Sequence, residues 1–236
     1  MANQNKINGL SPVAYLSGAA YTGAARMYAI PISDTTASYA IGDVVQSATS
    51  TGSTIGCDPT GVPYVQKLTA GTAVVPVGVI VGVRVADPGP SLQATNLDLT
   101  QTFILAGTRT AVRYVYVADD PNLLFSAFIG SAGVTLANLR KNANLGSFYS
   151  GADQTYAVNQ NATVTTLLNP AAPYSNLVLV ASNTTATFPM QVLGTYQTPN
   201  NTATATAAAG AYVQVLCRFN FHEFGVATAS NLLAPS

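Results

Sequence analysis

Charged side chains are scarce in this sequence. Nine Lys and Arg residues balance nine Asp and Glu residues, so charged residues make up 8% of the 236 and the formal net charge is zero. An ordinary soluble domain carries about 25% charged residues. Nucleic acids and anionic lipids are recognised by clustered Lys and Arg, so we predict no nucleic-acid partner and no membrane partner. A surface so poor in charge suits a protein that is covered by neighbours in a large assembly.

The residues that usually carry catalysis or hold metals are also few. The chain has no Trp, one His and one Glu, and the last two are adjacent, at His222 and Glu223. Alternation in a strand points neighbouring side chains to opposite faces, so these two cannot act together. Cys57 and Cys217 fit no zinc spacing and are predicted to be free thiols. We therefore predict no catalytic residue, no metal site and no cofactor.

Long apolar runs are missing as well. Ser, Gly and Thr interrupt the first thirty residues every few positions, which argues against a signal peptide. No stretch approaches the roughly 18 consecutive apolar residues of a membrane helix. The sequence therefore predicts synthesis in the cytoplasm.

What the chain does contain is a recurring short run of β-branched and aromatic residues closed by Gly, Pro, Asn or Asp. The clearest is AYVQVLCRFNFHEF from Ala211, in which every second residue from Val213 to Phe221 is apolar. In VVPVGVIVGVRV the glycines Gly78 and Gly82 indicate bulges or a close backbone approach. We predict an all-β fold, a β-sandwich or barrel-like arrangement with long loops and at most one short helix, over residues 133–146.

The first residues differ from the rest. MANQNKINGLSP is rich in Asn and Gln and holds two larger apolar side chains, Ile7 and Leu10. Such a segment is too polar to fold alone but can lie extended against another chain. We predict an extended N-terminal arm and lead-in over residues 1–25, with Ile7 and Leu10 as partner contacts. Residues 26–236 form the β-rich globular region, in which a division into two subdomains near residues 130–150 is left open.

The only adjacent pair of acids, Asp119 and Asp120, lies in RYVYVADDPNLLFSAF between two apolar runs. Adjacent strand residues diverge, so the pair does not form the convergent carboxylates of acid–base catalysis. Asp can accept a hydrogen bond from the backbone two residues on, and Pro121 cannot continue a central strand. We predict that Asp119, Asp120 and Pro121 form a structural turn.

Three segments around this turn resemble a known pattern. IGDVV, VPVGVIVGV and VYVADDPNLLF, within residues 41–129, resemble sequences of virion structural proteins of tailed bacteriophages that are known as capsid decoration, cement or head-associated proteins. The resemblance implies a non-enzymatic protein that binds the outside of the head. It also implies the major capsid protein as partner, a homo-oligomer on the particle, and location in the virion after synthesis in the host cytoplasm.

Two other functions stay open. A phage tail or baseplate protein would share the β content and the low charge, but would form rings or tubes alone. A β-barrel hydrolase acting on polysaccharide would need paired carboxylates and exposed aromatic platforms, and of these the sequence offers twelve Tyr.

Overall fold

The computed structural model describes residues 9–48, 56–68, 74–84, 103–104, 106–108, 111–129, 139–147, 175, 177–183, 187–196 and 213–225. Within these ranges the chain forms strands and connecting segments without a helix, and the strands assemble into three antiparallel sheets, none of them a closed barrel. The predicted all-β, sandwich-like fold is confirmed.

In chain order the described strands are β1 (Ser11–Tyr15), β2 (Arg26–Ile30), β3 (Tyr39–Ala40), β4 (Val44–Ser47), β5 (Val65–Lys67), β6 (Gly78–Val83), β7 (Phe103–Ile104), β8 (Arg113–Ala118), β9 (Leu123–Phe128), β10 (Asn142–Ser147), β11 (Leu177–Asn183), β12 (Met190–Thr195) and β13 (Gln214–Phe219). The six-stranded sheet has the order β1-β9-β13-β12-β10-β11. The five-stranded sheet has the order β2-β8-β6-β4-β5, and β3 pairs with β7.

Strand β13 shows how the sequence pattern becomes packing. Its apolar face, with Val213 and Phe221 just outside the strand, is buried, whereas Gln214, Leu216, Arg218 and Asn220 on the other face are half-buried. The alternation predicted for this segment is confirmed, because a period of two places every second side chain in the core.

The middle of the five-stranded sheet contributes buried side chains to both of its faces. Val44 and Val79 pack into the main core together with Phe125 and Phe219 of the six-stranded sheet. Their strand neighbours Val45 and Ile80 face the other way, into a second core that also includes Tyr39 of β3 and Ile104 of β7. A strand covered on both faces is apolar throughout, which explains the nearly continuous run of β6.

The two glycines of β6 have the predicted roles. A Cβ atom at Gly78 would lie 2.3 Å from the carbonyl oxygen of Ala118, so only glycine lets β6 approach β8 this closely. The register between these strands shifts between Ile80 and Gly82, which is the irregularity expected of a bulge.

The N-terminal arm is corrected in part. Leu10 is 1% exposed and belongs to the main core of its own chain, so it is not a free contact for a partner. Strand β1 is the edge of the six-stranded sheet, with Ser11 opposite Ser126 of β9. The ladder to β9 and the burial of one leucine offset the polar composition that suggested an arm. Ile7 lies outside the described residues.

The predicted helix and the predicted subdomain division concern the middle of the chain. The short helix over residues 133–146 is wrong at its C-terminal end, because Asn142–Ser147 is strand β10, paired with both β11 and β12. The division near residues 130–150 stays a prediction; the described chain passes from the five-stranded to the six-stranded sheet at residues 119–122.

Candidate functional site

The predicted turn joins the two large sheets. Strand β8 ends at Ala118, and β9 begins at Leu123. The Asn122 amide donates to Asp120 Oδ1 at 2.8 Å, and the Leu123 amide donates to the Asp120 carbonyl at 3.2 Å. The structure thus places Asp119, Asp120 and Pro121 in an Asx-type turn between strands of different sheets, and Asp120 satisfies the backbone of that turn.

Asp119 turns away from Asp120. Its side chain is 8% exposed and accepts a hydrogen bond from the Tyr28 hydroxyl at 2.7 Å, while Nη1 of Arg26 lies 3.5 Å from the same oxygen. Burial, and next the hydrogen bond to Asp119, raise the pKa of the Tyr28 phenol well above its usual value. The two neighbouring carboxylates therefore serve separate contacts and do not converge on a common point.

The chain's only histidine and only glutamate pack beside this turn. His222 is 3% exposed, whereas Glu223 is exposed, so the predicted divergence of the pair is confirmed. Glu223 accepts a hydrogen bond from the Ser47 hydroxyl at 2.5 Å, and its amide donates to the Pro76 carbonyl at 3.0 Å. Both contacts attach the segment that follows β13 to the five-stranded sheet.

A buried ion pair lies elsewhere in the five-stranded sheet, and the sequence analysis missed it. Nζ of Lys67 is 2.7 Å from Oδ2 of Asp43, and the Asp43 side chain is 1% exposed. Oδ1 of Asp43 accepts from the Ser175 hydroxyl at 2.5 Å, and Oδ2 also accepts from the Ala40 amide at 2.9 Å. Nζ of Lys67 donates further to the Ser38 carbonyl at 2.8 Å. A buried charge needs such partners, and here the carboxylate and the ammonium satisfy each other.

A third buried carboxylate organises the loop before β5. Asp58 accepts hydrogen bonds from the Tyr114 hydroxyl at 2.6 Å, the Thr60 amide at 2.9 Å and the Val62 amide at 2.8 Å. Burial alone would raise the pKa of Asp58, but these hydrogen bonds outweigh it and hold the pKa below its usual value. The arrangement fixes the loop to β8.

The two cysteines are free, as predicted. Cys217 is fully buried in the main core, where its thiol lies 3.5 Å from the Phe125 carbonyl, and burial raises the pKa of that thiol far above its usual value. Cys57 is half-buried in the loop that Asp58 organises. Cys217 therefore lacks the lowered pKa of a reactive cysteine.

Among the described residues, the two most exposed large apolar side chains lie near the turn. Leu16 is 51% exposed and Phe224 is 50% exposed. The Leu16 amide donates to the Asn122 carbonyl at 2.8 Å, and the Arg26 guanidinium lies 5.6 Å from the centre of the Phe224 ring. Residues 16–25 carry no charge, and nearly all of them are exposed.

Among the described residues, no group of three or more His, Cys, Asp or Glu side chains could hold a metal ion. The same ranges contain no helix of the length and hydropathy that a membrane span requires. Every acid discussed above accepts a hydrogen bond within the fold. No protein-family model, no curated protein and no solved structure matches the chain.

Proposed function

We propose that this chain is a non-enzymatic structural protein of a tailed-phage virion, and specifically a decoration or cement protein that binds and stabilises the head shell. Its partner is the major capsid protein, and its copies lie beside one another on the particle. The proposal rests on the resemblance within residues 41–129 and on how the fold arranges those residues.

The arrangement of the three resembling segments is the observation that carries the proposal. IGDVV leads into β4, VPVGVIVGV contains β6, and VYVADDPNLLF contains the end of β8, the turn and the start of β9. Strands β8, β6 and β4 are consecutive neighbours in the five-stranded sheet. The resemblance therefore covers one contiguous piece of the fold, and the turn connects that piece to the second sheet.

The chemistry of the described carboxylates supports a role in binding more than one in catalysis. Asp43, Asp58 and Asp119 are buried and accept hydrogen bonds from side chains of the fold. Asp120 accepts from the backbone of its own turn. Carboxylates committed in this way hold segments of a scaffold together.

The surface supports the same role. The centre of a protein interface is poor in charge, and the exposed residues 16–25 carry no charge and have the exposed aromatic Phe224 nearby. An interface of ordinary size buries about 800 Å² per partner. Each bound copy stabilises the shell by about RT ln(1 + [L]/Kd), where [L] is the concentration of free chain and Kd is its dissociation constant from the shell. No catalytic group is needed for such a function.

Cosedimentation tests the proposal. The purified chain is mixed with empty heads and, separately, with tails of the phage that encodes it, and an unrelated neutral protein of similar mass serves as control. We expect saturable binding to heads, with a fixed number of copies per shell. Saturable binding to tails alone, or rings and tubes formed by the free chain, would assign it to the tail or baseplate. Binding to neither would overturn the virion proposal.

A further inference from the structure

The segment that follows β13 crosses from one sheet to the other. Strand β13 of the six-stranded sheet ends at Phe219. The Asn220 side chain still donates to the Met190 carbonyl of that sheet, whereas residues 222–225 lie against the five-stranded sheet through Glu223 and Phe224. Three contacts hold this crossing segment: the Glu223 amide to the Pro76 carbonyl, the Ser47 hydroxyl to Glu223, and the Arg26 guanidinium over the Phe224 ring. The contact between the sheets at this edge therefore depends on the conformation of these few residues.

His222 sets that conformation. Its Nδ1 accepts a hydrogen bond from the Phe224 amide at 3.1 Å, and its carbonyl accepts from the Gly225 amide at 3.0 Å. The ring lies between Phe219 and Phe224, with centroid distances of 5.9 and 5.8 Å. Because Nδ1 acts as an acceptor, the neutral ring carries its proton on Nε2.

The other ring nitrogen is unusual. Nε2 of His222 is buried and has no hydrogen-bond partner among the described residues. A buried donor without a partner costs free energy, commonly about 1 to 3 kcal/mol. An apolar side chain of similar size would fill the same space without this cost. The presence of histidine is therefore explained by the hydrogen bond that Nδ1 accepts from the Phe224 amide, or by a change in that bond when the ring is protonated.

We propose that His222 is a proton-sensitive latch: the neutral ring holds residues 222–225 on the five-stranded sheet, and protonation releases them. The second proton of an imidazolium is placed on Nδ1, which then donates and can no longer accept from the Phe224 amide. Two N–H groups then face each other within a partly buried contact. Relief comes when the segment leaves the sheet and both groups reach water.

The groups around the ring set the balance of charge. Burial is the largest effect and lowers the pKa of His222, while Asp119 and Asp120 of the turn and Glu223 of the same segment act in the opposite direction. The Val77 backbone acts in the same direction as these carboxylates, although Nε2 makes no hydrogen bond of normal geometry to it. The positively charged Arg26 also lies near, where its guanidinium pairs with Asp119 and stacks over the Phe224 ring.

The sign of the pH dependence follows. The folded pKa of His222 lies below the value of 6.5 for an unperturbed ring, so an opened segment takes up the proton more readily than a closed one. The stabilisation of the closed form, in which the segment lies on the five-stranded sheet, is complete above about pH 6.5. This stabilisation is lost as the pH falls through the folded pKa of His222. The open fraction rises by up to about tenfold per pH unit within that window.

Amide hydrogen exchange at Phe224 tests the latch, with wild type compared with His222→Asn and His222→Phe at about pH 7.5 and pH 5, after correction for intrinsic rates. Asn keeps a side-chain acceptor for the amide two residues on and does not titrate; Phe has no acceptor. We expect protection in wild type to fall on the order of tenfold at the lower pH. His222→Asn should be protected equally at both, and His222→Phe poorly at both.

Equal protection of wild type at the two pH values would overturn the proposal. So would the same loss in His222→Asn, because the carboxylates around the ring would then carry the effect. Should neither variant fold, NMR titration of wild type decides: the Phe224 amide and the His222 ring must titrate with one midpoint, and separate midpoints reject the latch.

Discussion

Replacing Leu10 with alanine should destabilise the protein strongly, although this residue lies in a segment that the sequence presents as an arm. The side chain is 1% exposed in the main core. Truncating a buried leucine to alanine costs about 2 to 5 kcal/mol, and the cost is larger where the surroundings cannot close the cavity. The backbone here has little room to move, because the Leu10 amide donates to the Gly42 carbonyl at 3.0 Å and a Cβ at Gly9 would lie 2.3 Å from the same oxygen.

Leu16→Ala is the matched control, because the same substitution at a residue that is 51% exposed should change stability by less than about 0.5 kcal/mol. For a chain of this length, about 3 kcal/mol at Leu10 corresponds to a fall in Tm of roughly 6 to 12 °C. The assay is urea unfolding followed by circular dichroism, with an unchanged m value as the check that only stability has altered. Equal stabilities of the two variants would refute the placement of Leu10 in the core and restore the arm.

Three further predictions concern the rest of the scaffold. Gly78→Ala should cost about 1 to 3 kcal/mol, because its Cβ would press on the neighbouring strand, whereas Gly82→Ala, with its nearest contact at 3.4 Å, should be nearly neutral; equal urea midpoints would contradict this. Because the folded pKa of Asp58 lies below its unfolded value, its stabilisation is complete above about pH 3.9 and is lost as the pH falls through the folded pKa. The stability difference between wild type and Asp58→Asn should therefore shrink from about pH 6 to about pH 3, and a constant difference would reject the assignment. Iodoacetamide should modify Cys57 in the native protein and Cys217 only after unfolding, as mass spectrometry of the two peptides can show; equal native rates would contradict the burial of Cys217.

The features that could be predicted from the sequence are those set by neighbouring residues. The alternation of β13 depends only on the period of a strand, so the buried face from Val213 to Phe221 was visible in advance. The turn at Asp120 is equally local, since its side chain bonds the amide of Asn122. Local chemistry also marked Gly78 as a position of close approach.

The features that could not be predicted depend on partners far along the chain. A short helix was predicted over residues 133–146, yet Leu145 lies opposite Leu179 in a strand pair, because tertiary pairing decides the conformation of such a segment. Lys67 and Ser175 meet at Asp43 although they are separated from it by 24 and 132 positions. Asp43 follows a glycine and precedes two buried valines, which indicates a turn but does not identify these partners.

The measurement that tests the proposed virion function most directly is cryo-electron microscopy of tailed-phage particles assembled with this chain, compared with particles from a mutant that lacks its coding sequence. We expect the wild-type shell to carry extra density on its outer face, of a size that accommodates the five- and six-stranded sheets, and the mutant shell to lack it. Adding purified chain to mutant particles should restore the density. Density restored on the tail tube or baseplate, or shells that are identical with and without the chain, would contradict a role in binding and stabilising the head.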